Sequence, residues 1–208
     1  MSVLLLDFDG TLLDSESTHL QSWEEAYALH GRPFDRAAWV AGVGGHGHDP
    51  SGPLVGLGFD PDARRARERE LVHALEVRAG VRELLALPGR FAVVSSSPRS
   101  WVVPHLERLG LLGALELVVT REDAPRPKPA PDLYLEALRR LGVDAAVAVE
   151  DSANGVTAAK AAGLPVVAVP GPVTAGQDLS LADLRVASLL EVDLPALCQG
   201  RLTLLPSA

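Results

Sequence analysis

The sequence predicts an α/β fold in which a doubly wound parallel sheet carries helices on both faces and a small helical domain is inserted near its start. Three observations carry this. Short apolar runs at residues 3–6, 91–94, 117–120, 145–149 and 166–169 are too short for independent helices and unbroken enough for strands buried on both faces. After Gly80 these runs alternate with helical stretches, the rhythm of strand–helix–strand units. Between the first run and the second, residues 15–79 contain only helical patterns and loop. They read as an insertion, which divides the chain into a core of residues 1–14 and 80–208 and a helical cap of residues 15–79.

The first run passes directly into DFDGTLLD. Side chains alternate along a strand, so Asp7 and Asp9 project to one side while Phe8 turns back into the packing. Gly10 supplies a turn and Thr11 a hydroxyl; the plainer alternative is a strand end whose aspartates only cap the next helix. Leu20, Trp23 and Tyr27 then recur at helical spacing, predicting a helix over residues 17–30 that Gly31 and Pro33 stop. Trp23 and Tyr27 read as packing residues. His19, near the helix start, faces either the aspartate pair or solvent.

A short helical piece at residues 35–40 leads into AGVGGHGHDPSGP, too rich in Gly and Pro for a regular element. His46, His48 and Asp49 have ligand-like spacing but no second cluster or frame for a dedicated metal site, leaving substrate contact or a plain loop. A charged helix follows over residues 61–77, its arginines and glutamates spaced for internal pairs on a solvated face. Gly80 resets the pattern, and residues 81–87 form a short helix closed by Pro88 and Gly89.

The strand at 91–94 ends in Ser95, Ser96 and Ser97, before a helix at 99–109 whose first amides make an anion site. The strand at 117–120 leads into REDAPRPKPAPDLY, where Lys128 stands between two prolines ahead of a helix at 132–141. The strand at 145–149 ends in Glu150 and Asp151, followed by a helix that finishes at Gly163. After the strand at 166–169, the tail is expected to hold a short strand near 184–186 and an apolar helix at 189–197. No internal repeat appears.

The composition, 47% apolar and 22% charged, is that of a soluble globular protein. No apolar stretch approaches the ~20 residues of a membrane helix, so no membrane role is expected. The N-terminus enters the first strand without a basic segment and cleavage site, and Cys198 is the single cysteine; both predict a reducing cytoplasm. A formal charge of -8 argues against a nucleic-acid surface. Lys128 and Lys160 are the only lysines, so the use of lysine at 128 carries information.

Polar groups therefore sit at four strand ends: Asp7 and Asp9, Ser95 and its neighbours, Lys128, and Glu150 with Asp151. In a doubly wound sheet such ends converge on one crevice. Acids gathered there repel one another unless a cation neutralises them, and an all-oxygen set suits Mg2+, which keeps waters and pairs with phosphate. A hydroxyl, helix-start amides and a lysine add an anion site, and the combination reads as phosphoryl transfer.

The motifs DFDGTLLDSE, VVSSS, RPKPAPDLY and VEDSANGVTAAKAAG, in order along the whole chain, resemble the haloacid dehalogenase-like superfamily. Within it they resemble the phosphatases and mutases of the β-phosphoglucomutase-like subgroup. The resemblance implies a Rossmann-like core. It also implies that Asp7 is a nucleophile forming an aspartyl-phosphate, and that Asp9 is the acid and base that protonates the leaving alcohol and activates water. Mg2+ is then expected on the Asp7 carboxylate, the Asp9 backbone carbonyl and Asp151, with Glu150 bound directly or through water. Ser95 is expected to hold a phosphoryl oxygen, Ser96 to offer an amide, and Lys128 to neutralise the phosphoryl group and Asp7. Asn154 would support this set, and Lys160 would be a surface charge. Dehalogenases of the superfamily lack an acid at the position of Asp9, because a halide needs no proton, so a phosphate ester is the expected substrate.

The cap is where the sequence departs from the mutases. Those enzymes carry a cation in the loop after the second cap helix; aligning AGVGG there puts Gly45 in its place, and the cap has no lysine. Without a distal clamp, release and hydrolysis are favoured over isomerisation, although Arg64, Arg65, Arg67 or Arg69 could substitute. The expected activity is thus an Mg-dependent phosphatase of small phosphorylated metabolites, sugar phosphates above all. A β-phosphoglucomutase-type phosphomutase is the alternative, and a non-catalytic binding protein a further one. His19, His46 and His48 are candidates for substrate selectivity in the cap. A monomer or weak homodimer is expected.

Overall fold

Strand β1 (Val3–Leu6) lies in the interior of the sheet and all four of its residues are buried. It pairs in parallel with β2 (Arg90–Val94) on one side and β4 (Ala146–Glu150) on the other. The computed structural model describes residues 2–43 and 50–205. Strands β3 (Leu117–Val119), β5 (Val166–Ala168) and β6 (Leu184–Arg185) complete a six-stranded sheet in the order β3-β2-β1-β4-β5-β6, parallel throughout. The chain winds outward in one direction from β1 to β3 and in the other from β4 to β6. The junction of β1 and β4 is therefore a switch point, where loops part and leave a crevice beyond the strand ends.

Continuous apolar runs are required because both sheet faces are covered. Leu4, Leu6, Phe91, Val93, Val147 and Val149 pack into one core cluster, which also takes Val102 and Leu106 of α5 (Arg99–Arg108). The alternating residues Val3, Leu5, Ala92, Val94, Ala146 and Ala148 pack on the opposite face. There they meet α6 (Asp132–Leu141) and α7 (Ala153–Ala161).

The segment between β1 and β2 holds α1 (Ser15–Leu29), α2 (Arg36–Gly42) and α3 (Pro61–His73), followed by the short α4 (Val81–Leu85). Leu20, Trp23, Tyr27, Trp39 and Leu54 form a third apolar cluster among these helices. Arg64 fastens α3 to α1: its guanidinium donates to Ser22 Oγ at 2.8 Å and lies 4.4 Å from the Trp23 ring centroid. The segment enters and leaves through paired chains, since Leu13 and Val77 form an antiparallel bridge and Arg78 N donates to Leu12 O at 2.9 Å. The Arg78 side chain then donates to three backbone carbonyls, those of Gly10, Val169 and Pro170.

Several expected boundaries move for identifiable reasons. Helix α1 begins at Ser15 rather than 17, because the Asp14 carboxylate accepts from Ser17 N and caps it. Helix α3 stops at His73, and the chain turns extended to reach the Leu13–Val77 bridge. The tail does not form one helix over 189–197: Val192 bridges Leu204, and Asp193 caps a separate short α8 (Leu194–Leu197). No helix among the described residues is long and apolar enough to cross a membrane.

Candidate active site

Beyond β1 the Asp7 amide still donates to Val149 O at 3.0 Å, so Asp7 keeps the strand's direction and its side chain is delivered into the crevice. Phe8 is wholly buried in the core on the other face, as alternation requires. Gly10 follows with φ +80°, and a Cβ there would fall 2.1 Å from Asp151 Oδ2. The Asp151 carboxylate thus lies against bare backbone, a close approach that needs glycine.

Asp7, Glu150 and Asp151, all buried, each present a carboxylate oxygen within 4.8 Å of the others. Lys128 is buried beside them. Its Nζ donates to Asp7 Oδ1 at 2.7 Å, Glu150 Oε1 at 2.6 Å and Val94 O at 2.8 Å. Tyr134, from the first turn of α6, donates its hydroxyl to the same Glu150 oxygen, and Thr174 donates to Asp151 Oδ2 at 3.0 Å. Glu150 Oε2 is buried without a hydrogen-bond partner among the described residues.

Burial opposes the charge of Lys128, but Asp7 and Glu150 outweigh it and hold the ammonium above its ordinary value. Burial raises the Asp7 carboxyl; Lys128 pulls it back and Glu150 pushes it up again. Burial, with Asp7 and Glu150 nearby, likewise holds Asp151 well above the usual range. One lysine does not neutralise three carboxylates. An oxygen-only donor set with surplus negative charge and an unpartnered buried oxygen fits a hard divalent cation.

Asp9 is arranged differently. Its carboxylate turns away from the acidic cluster, with Oδ1 accepting from Ser15 Oγ at 2.7 Å and Trp101 Nε1 at 2.9 Å. Oδ2 accepts from Ser97 Oγ at 2.6 Å. Asp9 and Trp101 line a cavity of about 430 Å³ with Glu16, His19, Arg65 and Arg69, between the sheet's crevice and the inserted helices. Glu16 is pushed up to about 8, by burial first and by Asp9 and Asp7 next. Burial lowers His19, against Glu68, which raises it; its Nε2 stands 3.0 Å from the Trp23 indole nitrogen that donates to it.

The structure thus brings Asp7, Lys128, Glu150 and Asp151 into one contact group and sets Asp9 beside it, facing the cavity. Ser95, at the end of β2, is buried, and its hydroxyl accepts from Ser97 N at 3.0 Å. Ser96 Oγ accepts from the Lys128 amide at 3.2 Å, tying β2's end to the proline-rich loop. Asn154 Nδ2 donates to Val43 O at 3.3 Å and so reaches the inserted helices, while Lys160 pairs with Asp183 at 2.9 Å. His46 and His48 lie outside the described residues, as does Gly45. Ser15, Glu16, Trp101 and Tyr134 escaped the sequence reading, and Ser97 was read only as part of a polar strand end and not as a partner of Asp9. An indole N–H one turn into the helix after a polar strand end was the available signal for Trp101, and a hydroxyl six residues after Lys128 the signal for Tyr134.

Known proteins resemble this chain in sequence and fold. YhcW of Bacillus subtilis, which carries the name "Putative phosphatase YhcW", is 33% identical over 211 residues, covering 95% of this chain and 96% of its own. The fructose-1-phosphate phosphatase YqaB of Escherichia coli is 32% identical over 178 residues, covering 80% and 95%. The crystal structure of a CbbY mutant from Rhodobacter sphaeroides in complex with xylulose-1,5-bisphosphate superposes with a TM-score of 0.71 at 28% identity, over 93% of this chain and 97% of that one. The sequence profile of haloacid dehalogenase-like hydrolases matches residues 1–163, the span that holds β1 to α7 and every acid and cation of the buried cluster. On that match, and on the likeness to YhcW over nearly its whole length, the chain belongs to the haloacid dehalogenase-like hydrolases.

Proposed function

We propose that this protein is a magnesium-dependent phosphatase of small phosphorylated metabolites, sugar phosphates the first class among them, working through an aspartyl-phosphate on Asp7. The observation that carries the reading is the division of labour between two aspartates two residues apart. Asp7 lies against Lys128 and two further acids, while Asp9 faces the cavity among hydrogen-bond donors. A nucleophile needs the first environment and a proton carrier the second. The names of YqaB and CbbY's bound ligand point to the same substrate class.

In this mechanism an Asp7 oxygen attacks phosphorus in line with the leaving alcohol, and Asp9 gives that alcohol its proton. Asp9 then takes a proton from the water that displaces Asp7. Lys128 balances the charge of Asp7 and the incoming phosphoryl group, and the Ser95 hydroxyl and Ser96 amide hold phosphoryl oxygens at the end of β2. Magnesium, held by Asp7, the Asp9 carbonyl, Asp151 and Glu150, would supply charge neutralisation at the transferring phosphoryl group. Residues 15–79 act as a cap over a catalytic core of residues 1–14 and 80–208, with His19 and the cap loop bearing His46 and His48 contacting substrate. In this reading the enzyme works in the cytoplasm, as a monomer or weak homodimer.

A sugar phosphomutase is the second reading, and one observation favours it. Arg65 and Arg69 line the cavity, and Arg69 has no ion-pair partner among the described residues, so a cation for a second anionic group is at hand despite the absence of a cap lysine. A phosphate-release screen over phosphorylated metabolites, with magnesium and with chelator, separates the two. Release from a few sugar phosphates that needs magnesium and disappears in Asp7→Asn is expected. Conversion of glucose 1-phosphate to glucose 6-phosphate with little release would establish the mutase, and turnover surviving Asp7→Asn would sink the mechanism.

A further inference from the structure

The Asp9 carboxylate is held at both oxygens, but the two are not equivalent. Among the described residues Oδ2 meets only the Ser97 hydroxyl, at 2.6 Å. A hydroxyl donates or accepts by rotating, so it serves Asp9 equally well protonated or ionised. Oδ1 meets the Ser15 hydroxyl and also the Trp101 indole. An indole N–H donates and never accepts. A proton on Oδ1 would turn to Ser15 Oγ and leave the indole N–H a carboxylic hydroxyl oxygen, a much poorer acceptor than the carbonyl oxygen that Oδ1 remains when the proton sits on Oδ2.

The indole is built into this position. Its ring stands edge-on to His105 with centroids 4.6 Å apart, and the His105 ring is stacked at 6.4 Å on Phe8, the residue between the two aspartates. The element that aims the indole is thus packed against the segment that carries its acceptor. Helix α5 adds a second tie, because Trp101 N donates to Pro98 O at 2.9 Å, one residue beyond Ser97.

We infer that Trp101 is a positioning residue that confines the transferable proton to Oδ2 of Asp9, with Ser97 as its resting partner. The inference rests on the phosphatase reading. In the first half-reaction the Asp9 Oδ2–H bond breaks and the proton passes to the ester oxygen as its P–O bond breaks and the Asp7 O–P bond forms. In the second, water's oxygen bonds phosphorus, the Asp7 O–P bond breaks, and water's proton returns to Oδ2. Trp101 keeps Oδ1 a bare acceptor in both, so the acid presents the same oxygen on every turnover.

The test uses Trp101→Phe, which keeps an aromatic ring and deletes the donor, with two esters differing in their need for a proton. p-Nitrophenyl phosphate leaves as a stable phenolate, whereas an alkyl sugar phosphate must be protonated. The quantity read is kcat/KM, which reports steps up to formation of the phosphoryl-enzyme and excludes the common hydrolytic half. The variant is expected to lose at least tenfold more on the sugar phosphate than on the aryl ester. Equal losses on both, as a merely structural role would produce, or no loss, overturn the inference while leaving the phosphatase intact. A wild-type enzyme that releases phosphate from neither ester overturns the phosphatase reading itself. Should Trp101→Phe lose its fold, the indole N–H signals of the three tryptophans decide. One of them is expected to move on Asp9→Ala, and three unmoved signals remove the hydrogen bond on which the inference stands.

Discussion

Replacing Lys128 with Met keeps an aliphatic stem in the crevice and deletes the ammonium. The Nζ it removes makes three hydrogen bonds, to Asp7, Glu150 and the Val94 carbonyl, from a side chain only 4% exposed. Breaking a buried ion pair from one side costs about 3–5 kcal/mol, because a charge is left without compensation. For a chain of this length that converts to a melting temperature lowered by about 6–20 °C. The loss depends on pH. With the lysine gone, burial and mutual repulsion raise the folded-state carboxyls further, so the native state holds protons that the unfolded chain releases above its ordinary carboxylate range. Stability then falls as pH rises, and Lys128→Met is expected to differ more from wild type at pH 8 than at pH 5. Far-UV circular dichroism melts in the presence of chelator measure this, and added magnesium should return part of the loss. A variant melting within about 2 °C of wild type, or a deficit equal at both pH values, would refute the argument that Lys128 compensates the acidic cluster.

Two further outcomes follow from contacts at the edges of the site. Gly155→Ala should lower the urea midpoint: the added Cβ would fall 1.9 Å from Glu150 Oε2, so close that the cost belongs at the upper end of the about 1–3 kcal/mol of overpacking, above the gain of about 1 kcal/mol from helix propensity. An unchanged or raised midpoint would show that Glu150 has room to move. Glu16, raised to about 8 from the ordinary 4.5, keeps a proton in the folded state that the unfolded chain has lost, so its contribution to stability is complete at acid pH and declines up to about pH 8. Glu16→Gln should flatten the fall in urea-unfolding stability between pH 5 and pH 8, and a slope as steep as wild type's would count against the raised carboxyl.

The strands of the sheet, and the acids and lysine at their ends, were legible in the sequence because they depend on local rules. An apolar run covered on both faces must be continuous, alternation sends Asp7 and Phe8 to opposite sides, and the end of each strand opens into the crevice. What stayed hidden depends on tertiary direction. Trp101 and Ser97 reach Asp9 across about ninety residues, and the polar strand end that holds them does not say which of its groups Asp9 will take. Tyr134 reads as an ordinary packing residue at a helix start until its hydroxyl is seen against Glu150. The end of α3 was misplaced because a pairing with Leu13, sixty-odd residues away, overrides a helical pattern that continues to Val77. His19 lines the cavity beside Asp9, the first of the readings left open for it, and also accepts from the buried Trp23 indole, a contact that neither reading contained.

The antiparallel contact of Leu13 with Val77 has a consequence for how such a chain can change over time. Because the two ends of the inserted segment touch, the sheet senses only that they meet, not how much polypeptide lies between them. Loop-closure entropy grows slowly with length, by about 0.6 kcal/mol per doubling, so lengthening, shortening or exchanging the segment alters the rest of the molecule little. On the proposed function, the segment assigned to the variable end of a substrate can therefore diverge, or be grafted from another protein, while the part assigned to phosphorus stays as it is. Arg78, anchored on the carbonyls of Gly10, Val169 and Pro170, marks the joint at which such an exchange would be cut.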